Sequence, residues 1–272
     1  MRAVTWKSGA SAPRNALQPM LASAPGRIFS SSASRSADDQ GTIARCTPLG
    51  CMTEHSNLEK AESGAPSPNP LHRAFFARNP RRVARELLGK VLVRKDENQF
   101  LVARVVEVEA YLGENDPAAH AAAGNTPRTS VLFGPPGHAY VYFIYGNHYC
   151  LNVSCERDGK AGSVLFRALE PLLGIEQMAV ARGLAPQGLS DLRNLTSGPG
   201  RLAQAFGITR TRDNGGDLTS PRSGLWIGED GFRVGKVEVT PRIGISKAAD
   251  QPLRYTLSGN AFVSRRKTPP RD

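Results

Sequence analysis

The chain has 272 residues, 40% of them hydrophobic, enough for one sizeable domain with a segment to spare. Its 35 Lys and Arg against 24 Asp and Glu give a net charge of +11, which makes a phosphate polyanion the leading partner, with a basic proteome background as the bland alternative. No run of 18 apolar residues exists, which excludes a membrane-spanning helix. Cys46, Cys51, Cys150 and Cys155 form no C-x-x-C pair, and His55, His72, His120, His138 and His148 are scattered, which argues against zinc and for free, reduced thiols.

Residues 1 to 70 are rich in Ser, Ala, Gly and Pro without apolar periodicity, and read as a disordered leader. Five basic residues and no acid precede Asp38, beside the serine cluster at Ser30 to Ser36. That composition fits a mitochondrial-type transit peptide. It fits equally a start codon placed too early, with Met52 opening the protein. Only seven basic and five acidic residues fall in this stretch, leaving 28 against 19 beyond it. The charge excess therefore belongs to the folded part, residues 71 to 272.

Asn79-Pro80 before V-A-R-E-L-L and Gly89 predicts a capped helix. Strands are expected at Lys90 to Lys95 and Phe100 to Ala110, across the turn D-E-N-Q. Residues 112 to 137 form a long Gly- and Pro-rich loop with short helical pieces, a length that is uncommon without a function. Ala139 to Ser154 reads as a hairpin turning at Gly146-Asn147, followed by a strand at Ser163 to Leu169. Helices are expected at Ile175 to Arg182, Asp191 to Leu195 and Pro199 to Phe206. Further strands are expected at Val234 to Val239, Arg242 to Ile245 and Arg254 to Leu257. Hairpins without a βαβ rhythm predict an α+β fold, a single mixed domain with a largely antiparallel sheet.

The chemistry concentrates in V-V-E-V-E-A-Y at Val105 to Tyr111. A period of two puts Glu107, Glu109 and Tyr111 on one face, and Val106, Val108 and Ala110 on a face suited to the core. The two carboxylates should lie about 6.5 to 7 Å apart, the spacing of an acid and base that flank an anomeric carbon with room for water. The bland reading is a solvated strand face. Five of six tyrosines, at positions 111, 140, 142, 145 and 149, lie nearby, and their hydroxyls are costly to bury without partners. Aromatic faces stack on any nucleobase. Tyr145 at the hairpin tip would suit a wedge filling the gap of an extruded nucleotide, or simple packing. His120 is a lone loop histidine, Asn152 a polar amide inside a strand, and Arg167 either pairs with a carboxylate or holds a phosphate. Two rivals stay open: a non-catalytic nucleic-acid-binding module, and an O-glycoside hydrolase, although sugar sites favour Trp and only Trp6 and Trp226 occur.

E-V-E-A-Y-L-G, His120, T-P-R-T at 126 to 129, G-H-A-Y-V-Y-F-I-Y-G at 137 to 146, C-L-N-V at 150 to 153, R-A-L-E-P at 167 to 171 and S-G-P at 197 to 199 resemble the alkyladenine (3-methyladenine) DNA glycosylase family, bacterial members above all. The resemblance covers about Leu71 to Lys267 and none of the leader. It implies a monofunctional base-excision-repair enzyme, a monomer acting on double-stranded DNA with alkylated purines, with no cofactor, no metal and a β-hairpin inserted into the minor groove. By resemblance, Glu109 activates water for attack on the deoxyribose C1′. Arg167 and the backbone carbonyl of Ile243 help to hold that water. Tyr111, His120 and Tyr142 wall the flipped base, Asn152 disfavours an amine at guanine C2, and Tyr145 intercalates. Glu107 has no catalytic counterpart and becomes a structural or surface residue. Asn147 departs from the apolar residue, often Met, that usually follows the tip glycine. A bacterial source would imply cytoplasm or nucleoid; a genuine transit peptide would imply mitochondrion or nucleus.

Overall fold

The structure is a computed structural model and describes residues 68–264 except positions 98, 145 and 186. Positions 1–67 of the expected leader, with Cys46 and Cys51, and Tyr145 therefore lie outside the described residues, whereas Asn69 and Pro70, expected to be disordered, form a short strand. Among the described residues no helix is long and apolar enough to cross a membrane.

In chain order the elements begin with a two-residue strand β1 (Asn69–Pro70) and helix α1 (Pro80–Leu87), then β2 (Val91–Asp96) and β3 (Gln99–Tyr111). A 3-10 turn (His120–Ala123) and α2 (Ser130–Phe133) occupy the long loop. The hairpin β4 (Ala139–Ile144) and β5 (His148–Ser154) and the long β6 (Ser163–Leu173) follow. Four helices come next: α3 (Ile175–Arg182), α4 (Leu189–Thr196), α5 (Pro199–Ala205) and α6 (Arg210–Asp213). The chain closes with β7 (Leu225–Glu229), β8 (Val237–Thr240) and β9 (Arg254–Leu257).

These strands form one antiparallel sheet in the order β1-β7-β2-β3-β6-β5-β4, with β9 pairing both β3 and β8. The mixed α+β domain expected from the sequence is what forms. Local signals explain the helix ends. The Asn79 side chain accepts from Arg81 N at 3.0 Å and Pro80 opens α1. The buried face of α1, Val83, Ala84 and Leu87, belongs to the main core together with Val105, Leu169 and Phe206.

Strand β3 organises the site because its 13 residues serve three neighbours. Its first half pairs with β2, Glu107 to Glu109 pair with β9, and its other edge pairs with β6 from Val102 to Tyr111. Paired on both edges and covered on both faces, its residues from Val102 to Ala110 are all buried. Two offset bulges flank Glu107. Val105 faces Leu169 and Glu107 faces Ala168, which leaves Val106 over on β3; Val108 then faces Phe166, which leaves Arg167 over on β6. A bulged residue is freed from ladder register, so its side chain can be re-aimed.

One expected strand does not form. Arg242 to Ile245 forms no strand: it is a bend with Gly244 at φ 78°, because the Ile243 N–H is taken by a side-chain carboxylate instead of a neighbouring strand. For Glu107, expected to be either structural or on the surface, burial leaves the structural alternative: its exposure is 0%, as is that of Glu109.

Candidate active site

A cavity of about 980 Å³ opens between the β4–β5 hairpin, the loop after β3, the α4–α5 connection and the 242–245 bend. Tyr111, His120, Tyr142, Asn152, Arg167 and Ile243 all line it, so six of the eight expected site residues meet there although up to 132 positions separate them. Tyr140 and Cys150 line it too. Cys150 and Cys155 are free and buried.

The expected cost of burying tyrosines is met by partners. Tyr111 Oη donates to Glu109 Oε2 at 3.1 Å, and Tyr140 Oη lies 2.9 Å from His120 Nδ1. The His120 ring meets Tyr142 edge-on at 4.5 Å between centroids, and Tyr140 and Tyr142 lie 5.6 Å apart. Tyr142 sits opposite Cys150 across the hairpin. Burial raises the Tyr111 and Tyr142 phenols well above their ordinary range, so both stay neutral. His120 is lowered by burial and then by the Arg128 charge, which keeps its imidazole neutral. Asn152 is buried on β5, and its amide donates to the Tyr140 carbonyl at 3.3 Å.

Glu109 does not line the cavity; it sits behind three residues that do. Oε1 accepts from the Ile243 N–H at 2.8 Å and pairs with Arg167 Nη1 at 3.2 Å, while Oε2 takes the Tyr111 hydroxyl. Burial raises its pKa, and the Arg167 charge and the Ile243 and Tyr111 hydrogen bonds only partly oppose the rise. The result is a carboxylate that is a stronger base than an exposed one. The Ile243 carbonyl faces Arg167 Nη1 at 3.5 Å.

Glu107, two residues earlier, is in the opposite condition. Burial resists its ionisation, but the Arg254 hydrogen bond and the Arg167 and Arg254 charges outweigh that and hold the carboxyl below the usual range. Arg167 Nε, Arg254 Nε, Ser264 N and Ser264 Oγ donate to it at 2.9, 2.7, 2.6 and 2.7 Å. A carboxylate with four donors and no exposure cannot serve as the acid of a two-carboxylate scheme, which removes the O-glycoside hydrolase rival.

One functional pair escaped the sequence reading. Arg242 and Asp116 are both unexposed and form a bidentate ion pair at 2.6 and 2.9 Å. Asp116 also accepts from Leu112 N and Ala118 N, and Arg242 Nη1 donates to the Ala110 carbonyl. The guanidinium stacks 4.6 Å from the Tyr111 ring centroid. The pair thus ties the loop after β3 to the bend carrying Ile243, across the back of Tyr111. On the far wall, the S-G-P-G turn docks on the Arg167 bulge through Gly198 N, 2.8 Å from the Arg167 carbonyl. Gly200 there lies so close to His148 that a Cβ would sit 2.9 Å from the imidazole Cγ.

Residues 74–261 match the family described as methylpurine-DNA glycosylase. A protein of Koribacter versatilis named "Putative 3-methyladenine DNA glycosylase" is 63% identical over 195 residues, covering 72% of this chain and 93% of the relative. Similarly named proteins of Burkholderia cenocepacia and Alkaliphilus oremlandii are 46% identical over 209 residues and 44% over 205, covering 97% and 99% of their own lengths and 76% and 72% of this chain.

Proposed function

The chain belongs to the methylpurine-DNA glycosylase family, and from that footing we propose that it extrudes alkylated purines of the 3-methyladenine type from double-stranded DNA and hydrolyses their N-glycosidic bond. The observation that carries this reading is Glu109, a fully buried carboxylate of raised basicity held against the back of an aromatic cavity. In the proposed step Glu109 takes a proton from a water held beside Arg167 and the Ile243 carbonyl. The water oxygen bonds to C1′ as the C1′–N bond breaks. The bonding electron pair leaves with the purine and cancels the positive charge that alkylation had placed on it, leaving an abasic site. No lysine nucleophile is invoked, so the enzyme acts as a monofunctional glycosylase.

The neutral phenols of Tyr111 and Tyr142 offer π-faces to a cationic, electron-deficient purine, and neutral His120 offers an edge contact. Asn152 on the cavity wall is assigned the rejection of the guanine amine. Tyr145 is assigned the wedge role, with loss of base pairing in the lesion lowering the cost of extrusion. The basic charge of the chain suits the phosphate backbone. The protein is proposed to act as a monomer without a cofactor, and residues 71 to 272 as its glycosylase domain.

The test is release of free base from duplexes carrying single lesions, with hypoxanthine, ethenoadenine and 7-methylguanine beside 3-methyladenine. Release of 3-methyladenine is the expected result. Binding of the duplex without release of any base refutes the catalytic reading in favour of a binding module.

A further inference from the structure

We infer that Glu107 is a positioning residue of the reaction: it sets the plane of the Arg167 guanidinium and shares that cation with Glu109. The inference rests on the reading of Glu109 as the base. It begins with the bulge. Arg167 is the unpaired residue of β6, so ladder register does not dictate where its side chain points. A planar guanidinium held at Nε is oriented as a whole. Glu107 supplies that hold at 2.9 Å, which leaves Nη1 toward Glu109 Oε1 at 3.2 Å and toward the Ile243 carbonyl at 3.5 Å.

The hold is stiff because Glu107 cannot turn. Its other donors come from Arg254 on β9 and from Ser264, 147 and 157 positions away. A solvent-facing carboxylate would have no use for four donors and two guanidinium groups. Two carboxylates two residues apart on one buried strand, sharing one arginine, divide its charge.

That division matters for the base. The groups facing Glu109 are Arg167, the Tyr111 hydroxyl and the Ile243 N–H, with the Glu107 carboxylate beside it, Arg254 opposite in register and Arg242 stacked behind Tyr111. If Glu107 were uncharged, Arg167 would serve Glu109 alone and make it a weaker base. Glu107 thus keeps Arg167 close enough to hold the water-binding geometry and partly neutralised, so that Glu109 stays basic.

The experiment is the pH profile of single-turnover base release by Glu107→Gln, beside its affinity for a duplex with an abasic site. The expected result is a plateau about 10- to 100-fold below wild type, an acidic limb moved to lower pH, and abasic-site affinity within about twofold. A wild-type plateau, or a limb that stays or moves to higher pH, overturns the proposal. A merely structural loss would lower the active fraction without moving the limb. If circular dichroism shows that Glu107→Gln does not fold, Ser264→Ala, which deletes one neutral donor to Glu107, is read in the same assay. A rate loss of about fivefold is expected there, and an unchanged rate overturns the proposal. Glu109→Gln separates the two levels: if it retains wild-type rate, the underlying reading of the base fails; if it is inactive while Glu107→Gln is normal, only the positioning role fails.

Discussion

Replacing Asp116 by Asn tests how the site is braced. Neither side chain of the Asp116–Arg242 pair has any solvent exposure. The substitution therefore leaves a buried, unpaired guanidinium next to the Ala110 carbonyl and the Tyr111 ring. Breaking a buried pair in this way costs about 3 to 5 kcal/mol, against about 0 to 1 kcal/mol for a surface pair. In a domain of about 200 residues each kcal/mol moves Tm by about 2 to 4 °C, so a fall of roughly 6 to 20 °C is expected. Thermal melts of Asp116→Asn, Arg242→Met and the double variant at pH 7 measure the fall and urea melts the free-energy cost; the double variant should cost clearly less than the sum of the singles. Burial opposes ionisation of Asp116, but the Arg242 hydrogen bonds and two backbone N–H groups hold its carboxyl below the ordinary value. Its stabilisation is therefore present above the unfolded carboxyl range and lost as pH falls through the lowered value, and Asp116→Asn should lack this acid-side slope. A cost below about 1 kcal/mol would refute the reasoning.

Tyr111→Phe removes the hydroxyl that donates to Glu109 Oε2, a bond that lowers the carboxyl pKa. The acidic limb of base release should move to higher pH, with a rate loss of about fivefold at neutral pH; a limb moved downward would contradict the hydrogen bond's assigned sign. Gly200→Ala forces a methyl group to 2.9 Å from the His148 ring and 3.0 Å from its Cβ, so a loss of about 1 to 3 kcal/mol in chemical denaturation is expected, partly recovered in Gly200→Ala with His148→Ala, which removes the ring and keeps the Cβ. No recovery would place the strain elsewhere. Tyr145→Ala should weaken binding to abasic-site duplexes, and unchanged affinity would remove the wedge.

Local patterns carried most of the secondary structure. The Asn79-Pro80 cap, the pairing of Ala139–Ile144 with His148–Ser154 and the Ile175 to Arg182 helix each depend on neighbours a few residues away, and each forms where expected. The period-two face of β3 was equally legible, and it does bring Glu107 and Glu109 to one arginine. What covers that face was not. Glu107 is buried by Arg254 and Ser264, whose approach depends on β9 pairing with the second half of β3, and no local pattern announces such a pairing. The same distance hid the Asp116–Arg242 pair, 126 positions apart, and the buried Arg94–Asp213 pair, 119 apart. The apolar alternation at Arg242 to Ile245 misled because the Ile243 side of the bend serves a carboxylate and a cavity wall instead of a ladder. The roles assigned to Tyr111, His120, Tyr142 and Asn152 came from resemblance; their convergence on one cavity required the fold.

The most direct measurement is single-turnover release of 3-methyladenine by Glu109→Gln, beside its affinity for an abasic-site duplex and its urea midpoint. Removing a general base should slow release by about 100- to 10,000-fold. Affinity should stay within about threefold. Because burial raises the Glu109 pKa, its ionised form costs stability as pH rises through that value, so the midpoint at pH 7 should not fall. Release within tenfold of wild type, with folding and binding intact, would contradict the assignment of Glu109 as the base.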